Sequence, residues 1–213
     1  MTSVTFGSAQ IELLGHAGFR LRTEDKTVII DPFRLEKGYE ADILLVTHSH
    51  YDHLDPQSVK KVVNGKTICI APVDCHEKLG RAQSLKPGQK TEVGGIKIEA
   101  CEAYNMNKFR SPGQVFHPKG LGVGYIISIG GVSIYHTGDA DNIPEFREMR
   151  GRADVLLIPV SGTYVMTPHE AADAAKIINP RMAIPMHYGM IVGTGEDAKT
   201  FKKIFPGETK ILL

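Results

Sequence analysis

Short apolar and alternating runs recur along the chain, and most of them end in a turn signal. Residues 10–14 and 19–22 alternate between apolar and polar side chains, which predicts half-buried strands. Residues 27–30 and 42–46 are mostly apolar and predict buried strands. The same criteria predict further strands at residues 67–71, 84–85, 91–93, 96–100, 122–129, 132–135, 154–158, 182–186 and 210–213.

Helical signals fall between these strands. Thr167 is a good N-cap, Pro168 suits the first helical position, and Glu170 adds an acidic residue near the start. Helices are predicted over residues 56–63, 72–80, 143–151, 167–178 and 198–205. Strands alternating with helices in both halves predict an α/β fold with two sheets sandwiched between helices. Because the sequence shows no linker, repeat or low-complexity block, we expect one domain over residues 1–213.

Residues 104–122, here called the lid segment, lack any sustained period. This stretch is polar and rich in turn-forming residues, yet it carries aromatic side chains and His117. Long loops inside a compact domain are typically functional lids or disordered segments, and aromatic residues are unusual in a disordered one. We therefore predict a lid over a site.

Composition narrows the function classes. With 25 Lys and Arg against 24 Asp and Glu, the net charge is +1, and no long-range field favours nucleic acid or an anionic membrane. No apolar run approaches the about 20 residues that a spanning helix needs. The three cysteines show no CxxC spacing and the first residues do not resemble a secretory signal, which predicts free thiols in a cytoplasmic protein.

The candidate chemistry begins at residues 47–53, directly after a predicted buried strand. His48, His50, Asp52 and His53 lie within six consecutive positions there. Imidazole and carboxylate groups suit zinc, manganese or iron rather than a soft thiolate site. This spacing is a strong indication of a metal-binding loop.

Other ligand-type residues also stand where predicted strands end. They are His16, Asp31, His136, Asp139 and His187. In open α/β sheets, sites are assembled at strand ends, so this pattern predicts one shared site rather than scattered histidines. For His136 the simpler interpretation, local packing or hydrogen bonding next to the Gly138-Asp139 turn, is favoured.

These motifs resemble the metallo-β-lactamase superfamily of metal-dependent hydrolases. His48-x-His50-x-Asp52-His53 matches its HxHxDH signature, Gly138-Asp139 resembles its later aspartate motif, and His187 resembles its last histidine. The stretches 14–18, 30–32 and 184–189 look more particularly like the branch that contains the L-ascorbate-6-phosphate lactonases and related hydrolases. The resemblance implies a four-layer αββα sandwich.

The resemblance also implies roles for individual residues. His48 and His50 would hold one metal, Asp52 and His53 would begin a second site that His187 completes, and Asp139 would bridge the two. The cofactor would be one or two divalent ions, with Zn²⁺ favoured and Mn²⁺ or Fe²⁺ as alternatives. A metal-bound hydroxide would attack a lactone or ester carbonyl or a phosphoester, with Asp52 orienting the nucleophile or moving its proton. His16 and Asp31 would be substrate-facing or would support the ligands.

One departure from the family pattern concerns the third histidine of the first metal. The corresponding place holds Tyr104-Asn105, and asparagine is a poor transition-metal ligand. Either His117 reaches in from the lid segment, or the first site is weak or empty, or Asn105 contacts substrate. We favour His117 near the site.

The partner expected is a small molecule, and no nucleic acid or membrane is expected. Lys108, Arg110 and Lys119 in the lid segment are candidates for binding an anionic group, although a solvated loop explains them equally well. Phosphodiester cleavage is the alternative reaction. A non-catalytic metal- or metabolite-binding module, a di-iron oxidoreductase and a homo-oligomer also remain open.

Overall fold

The computed structural model describes residues 2–213, which form two main β-sheets. The first sheet has six strands in the order in which they occur along the chain. They are β1 Ser3–Phe6, β2 Ala9–Gly15, β3 Gly18–Arg22, β4 Thr27–Ile30, β5 Ile43–Leu45 and β6 Ile68–Ile70. β1 to β4 pair antiparallel, whereas β4, β5 and β6 are parallel to one another.

The second sheet has seven strands, and a separate two-stranded hairpin lies within the lid segment. The remaining strands are β7 Lys90–Val93, β8 Ile96–Glu102, β9 Phe109–Ser111, β10 Gln114–Val115, β11 Val123–Ile129, β12 Val132–His136, β13 Val155–Pro159, β14 Met182–Met186 and β15 Glu208–Thr209. β9 and β10 form the hairpin, and the order in the second sheet is β15-β14-β13-β12-β11-β8-β7.

The helices are α1 Pro56–Lys60, α2 His76–Leu79, α3 Pro168–Ile178 and α4 Gly195–Ile204, with 3₁₀ turns at Val73–Cys75 and Pro144–Arg147. α3 begins where the sequence predicts. The Thr167 hydroxyl accepts from the Glu170 backbone N–H, while the Glu170 carboxylate accepts from the Thr167 backbone N–H. The helix ends at Ile178 and is capped by Asn179, which adopts a left-handed conformation with φ 56°. None of the helices in residues 2–213 is long and apolar enough to cross a membrane.

Side chains that point alternately to the two faces of each strand produce four layers. Ile43 and Leu45 of β5 pack in a cluster with Tyr125 and Ile127 of β11, between the two sheets. Leu44 points the other way, into a cluster with residues of the α1–α2 region. The outer face of the second sheet packs on Ala171, Ala174, Ala175, Ala198 and Phe201 of α3 and α4. The predicted αββα sandwich is therefore confirmed.

Several predicted elements differ from the structure. β1 was not predicted, and residues 84–85 lie outside the strands. The helix predicted over residues 143–151 is only the 3₁₀ turn, and the last strand lies at Glu208–Thr209 rather than at residues 210–213. The β9–β10 hairpin was also missed, because Phe109–Ser111 is exposed throughout and has no buried face to impose an apolar alternation.

The sheets meet along one edge, where the ligand-type residues collect. The backbone N–H of His187, after β14, donates to the carbonyl of His16, in the β2–β3 turn, at 2.9 Å. The N–H of Val123 donates to the carbonyl of Thr47, after β5, also at 2.9 Å. These bonds tie the ends of strands from both sheets together.

Candidate metal centre

Two groups of potential ligands lie side by side at this edge. The His117 group comprises His48, His50 and His117. The His187 group comprises His16, Asp52, His53 and His187. Within each group, one ligand atom from every member lies within 4.8 Å of the others, and Asp139 forms a further group with His48 and His53. The structure thus brings together every residue that the sequence placed in the metal site.

Asp31 and Thr47 orient His53 from behind. The Asp31 Oδ1 accepts from the Thr47 backbone N–H at 2.8 Å, and its Oδ2 accepts from the Thr47 hydroxyl at 2.6 Å. The same Oδ2 lies 2.7 Å from His53 Nδ1. Because the carboxylate can only accept, Nδ1 carries the ring proton and the Nε2 lone pair faces the site. Sequence reasoning found Asp31 but missed Thr47, although Thr47 is the polar residue that directly follows the apolar strand.

Left-handed backbone conformations place three of these residues. His16, Asp31 and His187 have φ angles of 52°, 44° and 62°. Such angles cost non-glycine residues free energy and cluster at functional sites. Each residue follows a strand, so the sharp turn aims its side chain across the sheet edge. The His16 Nε2 lies 3.1 Å from Asp52 Oδ2, and the Ser161 Oγ lies 3.1 Å from His187 Nδ1.

Asn105 orients His117 in a comparable way. Its Oδ1 accepts from the His117 backbone N–H at 2.9 Å and lies 2.8 Å from His117 Nδ1. The amide nitrogen donates to the Tyr164 carbonyl at 3.0 Å and to Asp141 Oδ1 at 3.3 Å, which fixes the orientation of the amide. His117 Nδ1 therefore carries the proton, and Nε2 presents its lone pair to the His117 group. Of the three alternatives for the third histidine, this geometry favours His117 reaching in from the lid segment, with Asn105 behind it.

Ring nitrogens converge within the His117 group. His50 Nδ1 lies 3.0 Å from His48 Nε2 and 3.1 Å from His117 Nε2. The Thr47 hydroxyl hydrogen is used by Asp31, so Thr47 accepts from His48 Nδ1 at 3.0 Å and leaves the His48 Nε2 lone pair pointing inward. The Nε2 lone pairs of His48 and His117 both face His50 Nδ1, which carries one proton at most and so can donate to only one of them. A cation between the three nitrogens would satisfy all of them.

Asp139 contacts both groups. Its Oδ2 lies 3.3 Å from His117 Nε2 and 3.1 Å from His187 Nε2, and 3.9 Å from His48 Nε2. The other oxygen, Oδ1, lies 3.3 Å from His53 Nε2. An anionic group in this position can offset the repulsion between two neighbouring cations.

The electrostatics differ within the centre, because burial favours neutral His48 and His50 whereas the neighbouring carboxylates favour a charged His53. Burial lowers the pKa of His48 well below its usual value, and burial also lowers that of His50. Burial would raise the pKa of Asp139, but the positive charges of His187 and His53 outweigh it and hold that pKa well below normal. Burial disfavours a charged His53, yet Asp139 and Asp31 raise its pKa well above normal. A metal ion bound at His53 Nε2 would take the place of the proton that the charged ring carries there.

Buried polar atoms in the ligand groups are a further indication that these residues fit a bound metal. Within residues 2–213, the buried atoms His53 Nε2, His187 Nε2 and Asp139 Oδ1 make no contact with hydrogen-bond geometry, although oxygens of Asp139 lie 3.3 Å from His53 Nε2 and 3.1 Å from His187 Nε2. Buried polar atoms without partners are rare in native proteins, and an ion is one of the recognised explanations. The atoms also belong to the ligand groups, so a divalent cation supplies what each of them lacks.

His50, Asp52, His117 and Asp139 line a cleft of about 260 Å³. Its lining combines ligand-type residues with aromatic, aliphatic and basic side chains: His50, Tyr51, Asp52, Arg110, Phe116, His117, Asp139, Tyr164 and Ile191. Sequence reasoning missed Tyr164 and Ile191, which carry no motif. A cleft of this size and lining admits a small molecule.

Three histidines lie outside the ligand groups. His136 is buried, donates from Nε2 to the Ala17 carbonyl at 2.9 Å and accepts at Nδ1 from the Gly138 N–H at 3.1 Å. This is the local role that the sequence favoured. His76 Nε2 contacts the Ser84 hydroxyl at 2.8 Å, and His169 lies in the first turn of α3.

Comparisons with known proteins agree with this geometry. A family model described as a beta-lactamase superfamily domain matches residues 10–187. A UPF0173 metal-dependent hydrolase of Thermococcus onnurineus is 30% identical, over 96% of this chain and 95% of that protein. One from Methanoculleus marisnigri is 32% identical, over 93% of this chain and 89% of its own length.

Solved structures extend the likeness. A protein of Parabacteroides distasonis described as a metal-dependent hydrolase has a TM-score of 0.87 at 30% identity, covering 99% of this chain and 97% of its own. Igni18, a metallo hydrolase from Ignicoccus hospitalis, has a TM-score of 0.75 at 20% identity, covering 95% of this chain and 94% of its own, which shows the fold alone. The resemblance to the ascorbate-phosphate lactonase branch stays a prediction.

Proposed function

The chain belongs to the metallo-β-lactamase superfamily, and from this premise we propose that it is a metal-dependent hydrolase of a small-molecule lactone or other carboxylic ester. The observation that carries the proposal is the position of Asp139. Its carboxylate lines the cleft and contacts histidines of both the His117 group and the His187 group. Such an arrangement is suited to holding two ions at the place where a substrate enters.

The proposed ligands divide between two ions. His48, His50 and His117 would hold one, Asp52, His53 and His187 the other, with Asp139 between them. Imidazole and carboxylate donors favour zinc, with manganese or iron as alternatives. When bound, the metal supplies Lewis acidity that polarises a carbonyl oxygen and makes water nucleophilic near neutral pH.

Asp52 is proposed to orient the nucleophilic water or to move its proton. Burial would raise the pKa of its carboxyl group, but the hydrogen bond with His16 and the charge of His53 lower that pKa to about 2. The carboxylate is therefore ionised at neutral pH and able to orient a water molecule in the cleft that it lines, while a pKa this low makes it a weak base. His16, 3.1 Å away, would hold Asp52 in place or join its ligand group.

The remaining polar neighbours are proposed to position ligands. Asp31 holds His53 through its 2.7 Å contact with Nδ1, and Asn105 holds His117 through two contacts from one oxygen. Neither side chain has to touch substrate to matter, because a ligand that turns away from the ion loses its bond.

The cleft lining supports an ester or lactone over a nucleic-acid phosphodiester. Phe116, Tyr164 and Ile191 provide apolar surface, and Arg110 is the basic residue among the lining side chains. A nucleic-acid site would present a stripe of basic residues along an extended groove. Phosphodiester cleavage is the alternative reaction, and a substrate panel that includes a phosphodiester distinguishes it from ester hydrolysis.

The decisive experiment measures metal content and hydrolysis on the same preparation. Protein purified without added metal would be analysed for transition metals, then assayed with a panel of lactones, aryl esters and bis(4-nitrophenyl) phosphate. We expect at least one bound ion per chain and hydrolysis of a lactone or ester. A chelator should abolish activity, and Zn²⁺, Mn²⁺ or Fe²⁺ should restore it.

His48→Ala should lose metal and activity together, because His48 contributes to the His117 group and contacts Asp139. His76→Ala is the matched control, since it removes a histidine that contacts Ser84 instead of the cluster. Less than one equivalent of any transition metal, with no hydrolysis across the panel, would refute the enzymatic function. Cleavage of the phosphodiester alone would replace the proposed substrate class.

A further inference from the structure

We propose that Arg110 is the anion-binding residue of the cleft, so that the preferred substrate carries an oxyanion, a carboxylate or a phosphate, away from the bond that is hydrolysed. This inference rests on the proposed function and names its substrate class. It starts from the three basic residues of the lid segment, Lys108, Arg110 and Lys119, which the sequence alone does not distinguish.

Lys108 is neutralised by carboxylates. Its Nζ donates to both carboxylate oxygens of Glu170, at 3.0 and 2.9 Å, and lies 3.6 Å from Asp141 Oδ1. The side chain is largely buried in this network. Its charge is therefore used to anchor the lid segment to the start of α3, and it does not line the cleft.

Lys119 is also paired. Its Nζ donates to Glu145 Oε1 at 2.6 Å and lies 4.8 Å from the centre of the Tyr104 ring. This pair is at the surface, outside the set of residues that line the cleft. A substrate anion would have to compete with Glu145 for the same ammonium group.

Arg110 differs from both lysines. It lines the cleft together with His50, His117 and Asp139, and among residues 2–213 its guanidinium has no carboxylate partner. The guanidinium lies 5.7 Å from the centre of the Phe116 ring, and Phe116 packs edge-on against Tyr164 with 4.8 Å between ring centroids. The guanidinium therefore lies over the aromatic ring of Phe116, and its N–H groups are available to bind a ligand.

The acidic residues of the cleft do not cancel this charge. Asp52 and Asp139 direct their oxygens at His16, His53, His117 and His187. Both carboxylates are thus engaged by the ligand cluster. A planar guanidinium with free N–H groups beside an apolar wall recognises a carboxylate or phosphate at the end of a short apolar chain.

The test compares two esters that differ in the terminal group of the acyl chain. One is 4-nitrophenyl hexanoate and the other is the mono-4-nitrophenyl ester of adipic acid, which has the same six-carbon acyl chain but ends in a carboxylate. With the metal-loaded enzyme, we expect kcat/KM for the charged ester to exceed that for the neutral ester. Arg110→Met should reduce this preference about tenfold, mainly through KM, because a charge-assisted hydrogen bond is lost.

Two further variants make the comparison specific. Arg110→Lys keeps the charge but not the two-pronged geometry, so part of the preference should return. Lys119→Met removes an equal charge from the same segment, at a residue paired with Glu145, and should leave the preference as in the unmodified protein. Because Arg110 is exposed on β9, its replacement should not change the melting temperature.

A binding measurement separates this inference from the proposed hydrolysis. Calorimetry would compare hexanamide with the same amide bearing a terminal carboxylate or a terminal phosphate. Tighter binding of either charged amide, weakened about tenfold by Arg110→Met, would support the inference even if no ester is cleaved. The charged amide whose binding is weakened more by Arg110→Met shows whether Arg110 prefers a carboxylate or a phosphate.

Equal loss of binding for hexanamide and both charged amides in Arg110→Met would overturn the inference, as would no loss for any of them. Ester hydrolysis with an unchanged charge preference in Arg110→Met would also overturn it while leaving the proposed function intact.

Discussion

The His187 group and the His117 group are held by the fold in different ways. In the His187 group, His16 and His187 come from turns at strand ends that are tied to each other by a backbone hydrogen bond, and His53 rests on Asp31. The His117 group takes two histidines from the loop after β5, but its third comes from the lid segment. His117 is 67 residues away from His50 along the chain.

We therefore expect the fold to hold the His187 group rigidly, whereas the geometry of the His117 group depends on the conformation of the lid segment. His53 and His187 are buried where the two sheets meet. His117 and Asn105 are also buried, but they belong to a segment whose β9 strand is exposed. A group that is part of the core keeps its geometry as long as the fold is intact. A group closed by a surface segment needs only that segment to loosen.

The largest effect should come from removing one ligand of each group. His187→Asn and His117→Asn should each release about one ion per chain and reduce activity by more than the roughly 10- to 100-fold typical of supporting residues. Asparagine is chosen because His187 has φ 62°, a conformation that asparagine tolerates. Metal analysis and titration calorimetry would measure the loss.

The ion that remains in His117→Asn should be held more tightly than the ion that remains in His187→Asn, because the His187 group does not need the lid segment. If His117→Asn empties the whole centre, the two groups are not independent and the distinction between them fails. His76→Asn, which changes a histidine outside both groups, should bind metal normally.

A smaller effect should follow from changing the residue behind each ligand. Asn105→Ala removes the acceptor for the His117 backbone N–H and for Nδ1, whereas Asp31→Asn weakens the hold on His53. Each should weaken one ion about 10- to 100-fold, the ion of the His117 group for Asn105→Ala and that of the His187 group for Asp31→Asn. Competition with a metal chelator would measure both affinities.

Asp42→Asn is a suitable control, since Asp42 also accepts a backbone hydrogen bond, from Thr27, but lies outside both groups. Loss of the same ion in both Asn105→Ala and Asp31→Asn would contradict the assignment of one support to each group.

The smallest effect concerns the anchor of the lid segment at α3. Burial would raise the pKa of Glu170, but hydrogen bonds from the Thr167 backbone N–H, Asn107 and Lys108 outweigh it and lower the pKa from 4.5 to about 2. A carboxyl group with a lowered pKa in the folded state stabilises the fold above its ordinary pKa. That stabilisation, roughly 1 kcal/mol, should disappear as the pH falls from about 4.5 towards 2.

Glu170→Gln should therefore lower the free energy of unfolding at pH 7, and the difference from the unmodified protein should shrink below about pH 4.5. Denaturant unfolding at a series of pH values would measure it. Asp173→Asn, in an exposed pair with Lys176 on the same helix, should show a smaller difference. A Glu170→Gln effect that is the same at every pH would contradict the role of the ionised carboxylate.

Much of the centre was accessible from local pattern. His48, His50, Asp52 and His53 form a motif that needs no tertiary information, and Asp139 and His187 stand where apolar runs end. Strand ends in such sheets are brought to one edge by the topology, so their convergence was predictable. Asp31 was found by the same reasoning, while Thr47 behind it was not.

The sequence by itself determined the α/β layering and the ligand-type residues at strand ends, because the strands follow from the periodicity that burial imposes on neighbouring residues. The tertiary structure alone decided that His117 closes one group, that Asn105 stands behind it, and that Arg110 rather than Lys108 or Lys119 faces the cleft. These choices depend on contacts between residues distant along the chain and on an exposed hairpin. The hairpin has an exposed β9 strand, so the pattern of apolar and polar residues carries no information about these contacts.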